Sequence, residues 1–123
     1  MEIVPRSQQK PYPQIYLKEA HSSLEIIGSS NSQLKKVSIR EITIPPGKKI
    51  LAHFHKENEE VYYLIFGLVM VTVDNESIEI RRFDAVPVSA GQVHSIENKG
   101  SSEAVILEIG SSSAWQEDVH FPK

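Results

Sequence analysis

From Ser23 onward the chain is a series of short runs in which Val, Ile and Leu recur at regular spacing, separated by clusters of Gly, Pro, Asn, Asp and Ser. That is the pattern of an all-β sandwich or barrel. Leu24 to Ile27 is one run, closed by Gly28 to Ser32. Lys36 to Ile44 alternates, with Ser38, Arg40, Ile42 and Ile44 on one parity and Val37, Ile39, Glu41 and Thr43 on the other, and it stops at Pro45-Pro46-Gly47. Ile50 to His55 and Val61 to Val73 follow, the second broken at Gly67, where a missing side chain lets a strand bend or another backbone approach. Asp74-Asn75 lies between Val69, Val71, Val73 and Ile78, Ile80 and predicts a tight hairpin turn. Ala85 to Val88, Val93 to Asn98 and Ala104 to Ile109 complete about eight to ten strands. Pro5, Pro11 and Pro13 predict an extended arm over the first fourteen residues, leading to a strand at Ile15 to Leu17. Helical spacing longer than two turns is lacking, except near Trp115.

At 123 residues the chain predicts one domain with an adequate core, and neither an internal repeat nor a linker divides it. It has no cysteine, which excludes a disulfide framework, a thiolate metal site and a cysteine nucleophile. Any metal must therefore sit on His, Asp or Glu. The net charge of -3, with basic residues scattered singly and in pairs, gives no footprint for nucleic acid or an anionic membrane, so the expected partner is a small molecule. Val61 to Val73, the longest apolar run, is well short of the ~20 residues that cross a bilayer. The segment Met1 to Arg6 has neither the basic head nor the apolar core of a signal peptide, which predicts a cytoplasmic protein.

The chemistry concentrates in Gly47 to Gly67. His53 and His55 stand two apart on a predicted strand, so their imidazoles leave the same face and form a chelating pair. Glu60 follows across a short loop, at the start of the next strand, where an adjacent antiparallel partner would bring its carboxylate level with the rings. His94, from a later β segment, is the fourth candidate. Three neutral imidazoles and one carboxylate suit a first-row divalent ion and leave positions open for water, substrate or dioxygen. A pair of histidines on an apolar strand is often only core or surface, and the joint spacing is what distinguishes this one.

That spacing resembles the first cupin motif: Gly, five residues, His, one, His, four, Glu, six, Gly. Gly47, His53, His55, Glu60 and Gly67 fill every fixed position. The second cupin motif runs Gly, five residues, Pro, one, Gly, two, His, three, Asn. Here Gly91, His94 and Asn98 match, while Phe83 stands for the first Gly and Ser89 for the Pro. Asp84 and the displaced Pro87 then imply a turn built another way. The motifs cover Gly47 to Asn98, and the resemblance implies a double-stranded β-helix, a jelly-roll barrel, over residues 1–123. It also implies one divalent ion (manganese, iron, nickel, cobalt or zinc) on His53, His55, Glu60 and His94, with Glu59 the alternative carboxylate. Two-residue parity adds Tyr62, Leu64 and Phe66 beside Glu60, and Ile96 and Asn98 beside His94. Leu51 and Phe54 flank the histidine pair as pocket-shaping residues.

Within cupins the chain is most similar to the mannose-6-phosphate isomerase-like group, through Val93 to Asn98, Val105 to Gly110 and Trp115 to Val119. Such an isomerase needs a metal to polarise a carbonyl, a group to move a proton and cations for a phosphate. Tyr62 and Glu108 are the candidate proton carriers, with Tyr63 beside them. Arg40, Lys48, Lys49, Arg81 and Arg82 are candidates for a sugar phosphate, although a solvated surface charge is the commoner role of such residues. An iron- or manganese-dependent dioxygenase or decarboxylase, and a non-enzymatic module binding a sugar or carboxylate, use the same ligands. The resemblance further implies a homodimer, with the arm Met1 to Gln14 lying along a partner's sheet edge. His21 and His120 are expected to be ordinary surface residues.

Overall fold

The computed structural model describes residues 1–11 and 22–123, so the expected strand at Ile15 to Leu17 and the position of His21 lie outside the described residues. The alternating runs form β1 (Lys10–Pro11), β2 (Ser22–Ile27), β3 (Ser38–Ile44), β4 (Lys49–His53), β5 (Glu60–Phe66), β6 (Val69–Val73), β7 (Glu76–Ile80), β8 (Ala85–Val88), β9 (His94–Glu97) and β10 (Ala104–Gly110). Helical structure among the described residues is confined to two 3-10 turns, Arg6–Gln8 and Trp115–Asp118. The strands make one sheet in the order β1-β2-β3-β10-β5-β8 and another in the order β4-β9-β6-β7, with every pairing antiparallel. Two such sheets closing on one interior are a double-stranded β-helix.

The turns follow from their residues. Asp74 and Asn75 adopt φ of 50° and 77°, the paired left-handed conformation that suits a two-residue hairpin between right-twisted strands. Gly67 has φ of 93°, and a Cβ there would lie 2.8 Å from the Glu103 carbonyl oxygen and 2.9 Å from Ala104 Cα. Only glycine permits both the bend and the approach of the chain entering β10.

Register divides the interior into two halves. On the inward face of β10, Ala104 and Ile106 stand opposite Ile44 and Ile42 of β3, whereas Glu108 and Gly110 stand opposite Arg40 and Ser38. The other side of β10 repeats the division: Ile106 pairs with Leu64 of β5, while Glu108 and Gly110 pair with Tyr62 and Glu60. In the second sheet Ile50 pairs with Ile96, and His53 with His94. One half is thus a sealed hydrocarbon core of Ile42, Ile44, Ile50, Leu64, Val71, Ile96 and Ile106, and the other gathers the buried Arg40, His53, His55, Glu60, His94 and Glu108.

In the described part of the N-terminal arm, Lys10–Pro11 pairs with β2 of its own chain, and Arg6 makes a 2.6 Å ion pair with Glu41.

Candidate metal centre

His53 ends β4 and stands directly opposite His94 on β9, their ring centroids 4.3 Å apart. His55 lies just beyond β4, and Glu60 begins β5 on the facing sheet. The carboxylate therefore reaches the rings across the barrel, not from a neighbouring strand as the short loop implied: β5 pairs with β10 and β8. The four residues are at most 3% exposed, and one ligand atom from each lies within 4.8 Å of all the others.

Each imidazole is fixed through the same nitrogen. His53 Nδ1 is 2.8 Å from the Leu51 carbonyl, His55 Nδ1 2.7 Å from the Asp118 carbonyl and His94 Nδ1 2.8 Å from the Gln92 carbonyl. A carbonyl can only accept, so each Nδ1 carries a proton, and Nε2 is the nitrogen through which each neutral ring could ligate an ion. The Leu51 contact depends on a local irregularity. Between Ile50 and His53 the register shifts, so both point inward while Leu51 turns out, 48% exposed. The Leu51 side chain, expected to flank the histidine pair, faces outward, and its carbonyl holds His53.

Glu60 bridges two environments. Its Oε1 is 2.9 Å from His55 Nε2 and 3.2 Å from His94 Nε2, yet neither nitrogen has a hydrogen-bond partner. Its Oε2 accepts from Arg40 Nη2 at 2.8 Å, and Arg40 also pairs with Glu108. Burial alone would raise the Glu60 carboxyl; its contacts with His55 and His94, then Glu108 and Arg40, outweigh that and hold it well below the usual carboxylate range. Glu108 moves oppositely, pushed well above that range by burial despite Arg40, with the neighbouring Glu60 charge adding to the rise. Burial, with His94 beside it, lowers His53 to about 3, so this ring is neutral at ordinary pH. At His55 burial is overcome by Glu60, which raises the imidazole above 6.5.

This donor set fits a divalent cation. Two inward Nε2 atoms are buried without a hydrogen-bond partner and face an ionised carboxylate oxygen, which is repulsive unless a proton or a positive ion lies between them. Three nitrogens and one oxygen, without sulfur, suit a first-row transition ion.

Several expectations need correcting. Arg40 is not a surface cation: it is fully buried, with its guanidinium carbon 3.3 Å from the centre of the Trp115 ring. Lys48, Lys49, Arg81 and Arg82 are exposed, as charges of that kind usually are. Glu108 pairs with Arg40, and the Tyr62 hydroxyl is 3.4 Å from Glu60 Oε1 with its ring 5.7 Å from His94. Leu64 and Ile96 belong to the hydrocarbon core, and Phe66 is half exposed at the end of its strand. Asn98 ties a turn, donating to the Ile44 and Ser102 carbonyls and accepting from the Gly100 amide. Glu59, the alternative carboxylate, is exposed. His120 is partly covered, bridging Phe54 through its main chain and lying 3.1 Å from Asp118 Oδ1 through Nε2.

The altered second motif keeps its turn. Phe83 takes φ of 72°, the left-handed conformation natural to the glycine it replaces, while Asp84 accepts from the Arg81 amide at 2.9 Å. Ser89, in the proline position, donates its amide to Gln92 Oε1 at 2.9 Å, a bond proline could not make. Gln92 and Asp118, both carbonyl partners of imidazoles, carry no signal in a search for ligands because the atom used is main chain.

A double-stranded β-helix with three histidines and a glutamate converging inside one end defines a class of barrel proteins that can hold a metal ion. Residues 40–110 match the cupin domain family, and the chain belongs to the cupins. An uncharacterized protein of Methanocaldococcus jannaschii is 32% identical over 107 residues, covering 87% of this chain and 85% of the relative. The mannose-1-phosphate guanylyltransferase of Escherichia coli is 24% identical over 83 residues, 68% of this chain but only 17% of that enzyme. A sugar phosphate isomerase from Silicibacter pomeroyi superimposes with a TM-score of 0.74 at 21% identity, over 89% of this chain and 75% of that one. No helix among the described residues is long and apolar enough to cross a membrane.

Proposed function

We propose that this chain is a mononuclear divalent-metal cupin acting on a small molecule with adjacent oxygen donors, of the sugar-phosphate isomerase type. The observation that carries the reading is the shared tautomer: His53, His55 and His94 each give Nδ1–H to a main-chain carbonyl, His55 and His94 turn Nε2 toward Glu60 Oε1, and a ligand atom of each of the four residues lies within 4.8 Å of the others. An ion bound there would act as a Lewis acid on a substrate carbonyl. Glu60 would contribute one oxygen, because Arg40 engages the other. Manganese, iron, cobalt, nickel and zinc all accept such a set, and the softer nitrogen donors disfavour calcium and magnesium.

Tyr62 is the proton-bearing side chain we assign to the substrate, given its 3.4 Å contact with Glu60 Oε1. Glu108 has a supporting role, since it pairs with the same Arg40 that holds Glu60 Oε2. What supports a sugar phosphate is the match of 68% of this chain to part of a protein named for mannose 1-phosphate.

The test is proton–deuterium exchange at C2 of hexose phosphates, followed by NMR with the manganese- or cobalt-loaded chain in deuterated water. Exchange that disappears in Tyr62→Phe is the expected result. Oxygen uptake or decarboxylation with oxalate, without exchange, would overturn the isomerase reading in favour of the oxidative one. Stabilisation by a sugar phosphate without turnover would make the chain a binding module.

A further inference from the structure

The segment after β10 carries part of the sequence resemblance, yet none of its side chains is among the four candidate ligands. Its placement gives it a role. Asp118 presents its main-chain carbonyl to His55 Nδ1 at 2.7 Å, while its carboxylate accepts from the amides of Lys56, Glu57 and Asn58 at 2.8 to 2.9 Å. Those three residues are the loop that carries the chain from His55 toward Glu60. On the other side of His55, Phe54 and His120 exchange both main-chain hydrogen bonds, at 2.9 and 3.0 Å. Every residue from Phe54 to Asn58 is thus tied to residues 118–120. Three residues earlier, Trp115 is 1% exposed and its ring centre is 3.3 Å from the guanidinium carbon of Arg40, which in turn grips Glu60 Oε2.

We propose that the C-terminal turn Trp115–Asp118 is a positioning element of the metal centre, with Asp118 setting the rotation and tautomer of His55 and Trp115 holding Arg40 against Glu60. Neither Asp118 nor Trp115 would touch the ion. Removing the carboxylate frees the 56–58 loop, lets the Asp118 carbonyl drift from His55 and releases the ring from its Nδ1–H tautomer. Loss of such an outer contact weakens metal binding by roughly ten- to a hundredfold. The inference rests on the reading of the four side chains as a metal site.

The test uses the full-length chain and cobalt(II), following affinity by chelator competition and geometry by the visible absorption of the bound ion. Asp118→Ala is expected to bind at least about tenfold more weakly, with an altered spectrum. Asp118→Asn, which keeps one accepting oxygen, should fall between it and the wild type, and Glu117→Gln, an exposed neighbour in the same turn, should change nothing. Asp118 variants with wild-type affinity and spectrum would overturn the proposal. A second measurement needs no variant, should Asp118→Ala fail to fold. Long-range proton–nitrogen correlation on the zinc-loaded wild type should place the His55 proton on Nδ1, and a proton on Nε2 would overturn the proposal. A wild-type chain that binds no cobalt or zinc would instead overturn the metal reading itself.

Discussion

At the residue scale the balance of buried charge decides behaviour. Arg40 and Glu60 are opposite charges, both wholly buried, and Arg40 also pairs with Glu108, whose carboxyl burial pushes upward. Removing one member of such a pair leaves the other uncompensated. In the metal-free protein Arg40→Met should therefore cost about 3–5 kcal/mol of stability, measured by urea unfolding. Glu108→Gln keeps a hydrogen-bonding oxygen of similar size beside Arg40 and leaves the Arg40–Glu60 pair in place, so it should cost less than Arg40→Met in the same measurement. Arg40 was legible in part: parity set it with Ile42 and Ile44, and only the general exposure of arginine pointed outward. Once Glu60 lies across the barrel, the buried position has a partner, and that pairing comes from topology.

The same scale sets the pH response. Glu60 raises His55 above its ordinary 6.5, so the ion pair stabilises the metal-free chain fully below 6.5, and that stability is lost as pH rises through the raised value. Metal affinity runs the other way, because the ion must displace that proton. Calorimetric titration should find tighter binding at about pH 8 than at about pH 6, with close to one proton released per ion at the lower pH. His53, already neutral, adds nothing to that release.

At the element scale the strands were legible because alternation, paired prolines and the Asp74-Asn75 turn all indicate the same boundaries. The shift between Ile50 and His53 was not, since a bulge leaves both residues apolar or ligating in character and changes only which way Leu51 faces. Nor was the sheet partner of β5, which depends on the crossover of the whole barrel. Gly67 is the sharpest element-level test. Its positive φ and the 2.8 Å approach of the Glu103 carbonyl together mean that Gly67→Ala should destabilise by about 2–4 kcal/mol, the sum of left-handed strain and a backbone clash. A change below about 0.5 kcal/mol by urea unfolding would show that the β5–β6 bend and the close packing of β10 do not depend on this glycine.

At the scale of the whole molecule the barrel supplies two environments from one alternating pattern. One half is hydrocarbon; the other holds three histidines, two glutamates and an arginine in register. The first half makes the second possible, because rigid strands fix imidazoles that long flexible loops could not. The ligand candidates were legible from a spacing that resembles the cupin motifs, with Glu59 open as the alternative to Glu60, whereas the carbonyls of Leu51, Gln92 and Asp118 that hold the imidazoles were invisible because main-chain atoms leave no mark in a sequence. The central claim is that His53, His55, Glu60 and His94 hold one divalent ion. Elemental analysis after exhaustive dialysis measures it directly, comparing the wild type with a folded His55→Ala variant. The account predicts about one transition ion per wild-type chain and less than about a tenth of that in the variant, in line with losing one ligand of four. Full occupancy in His55→Ala, or none in the wild type after loading, would contradict it.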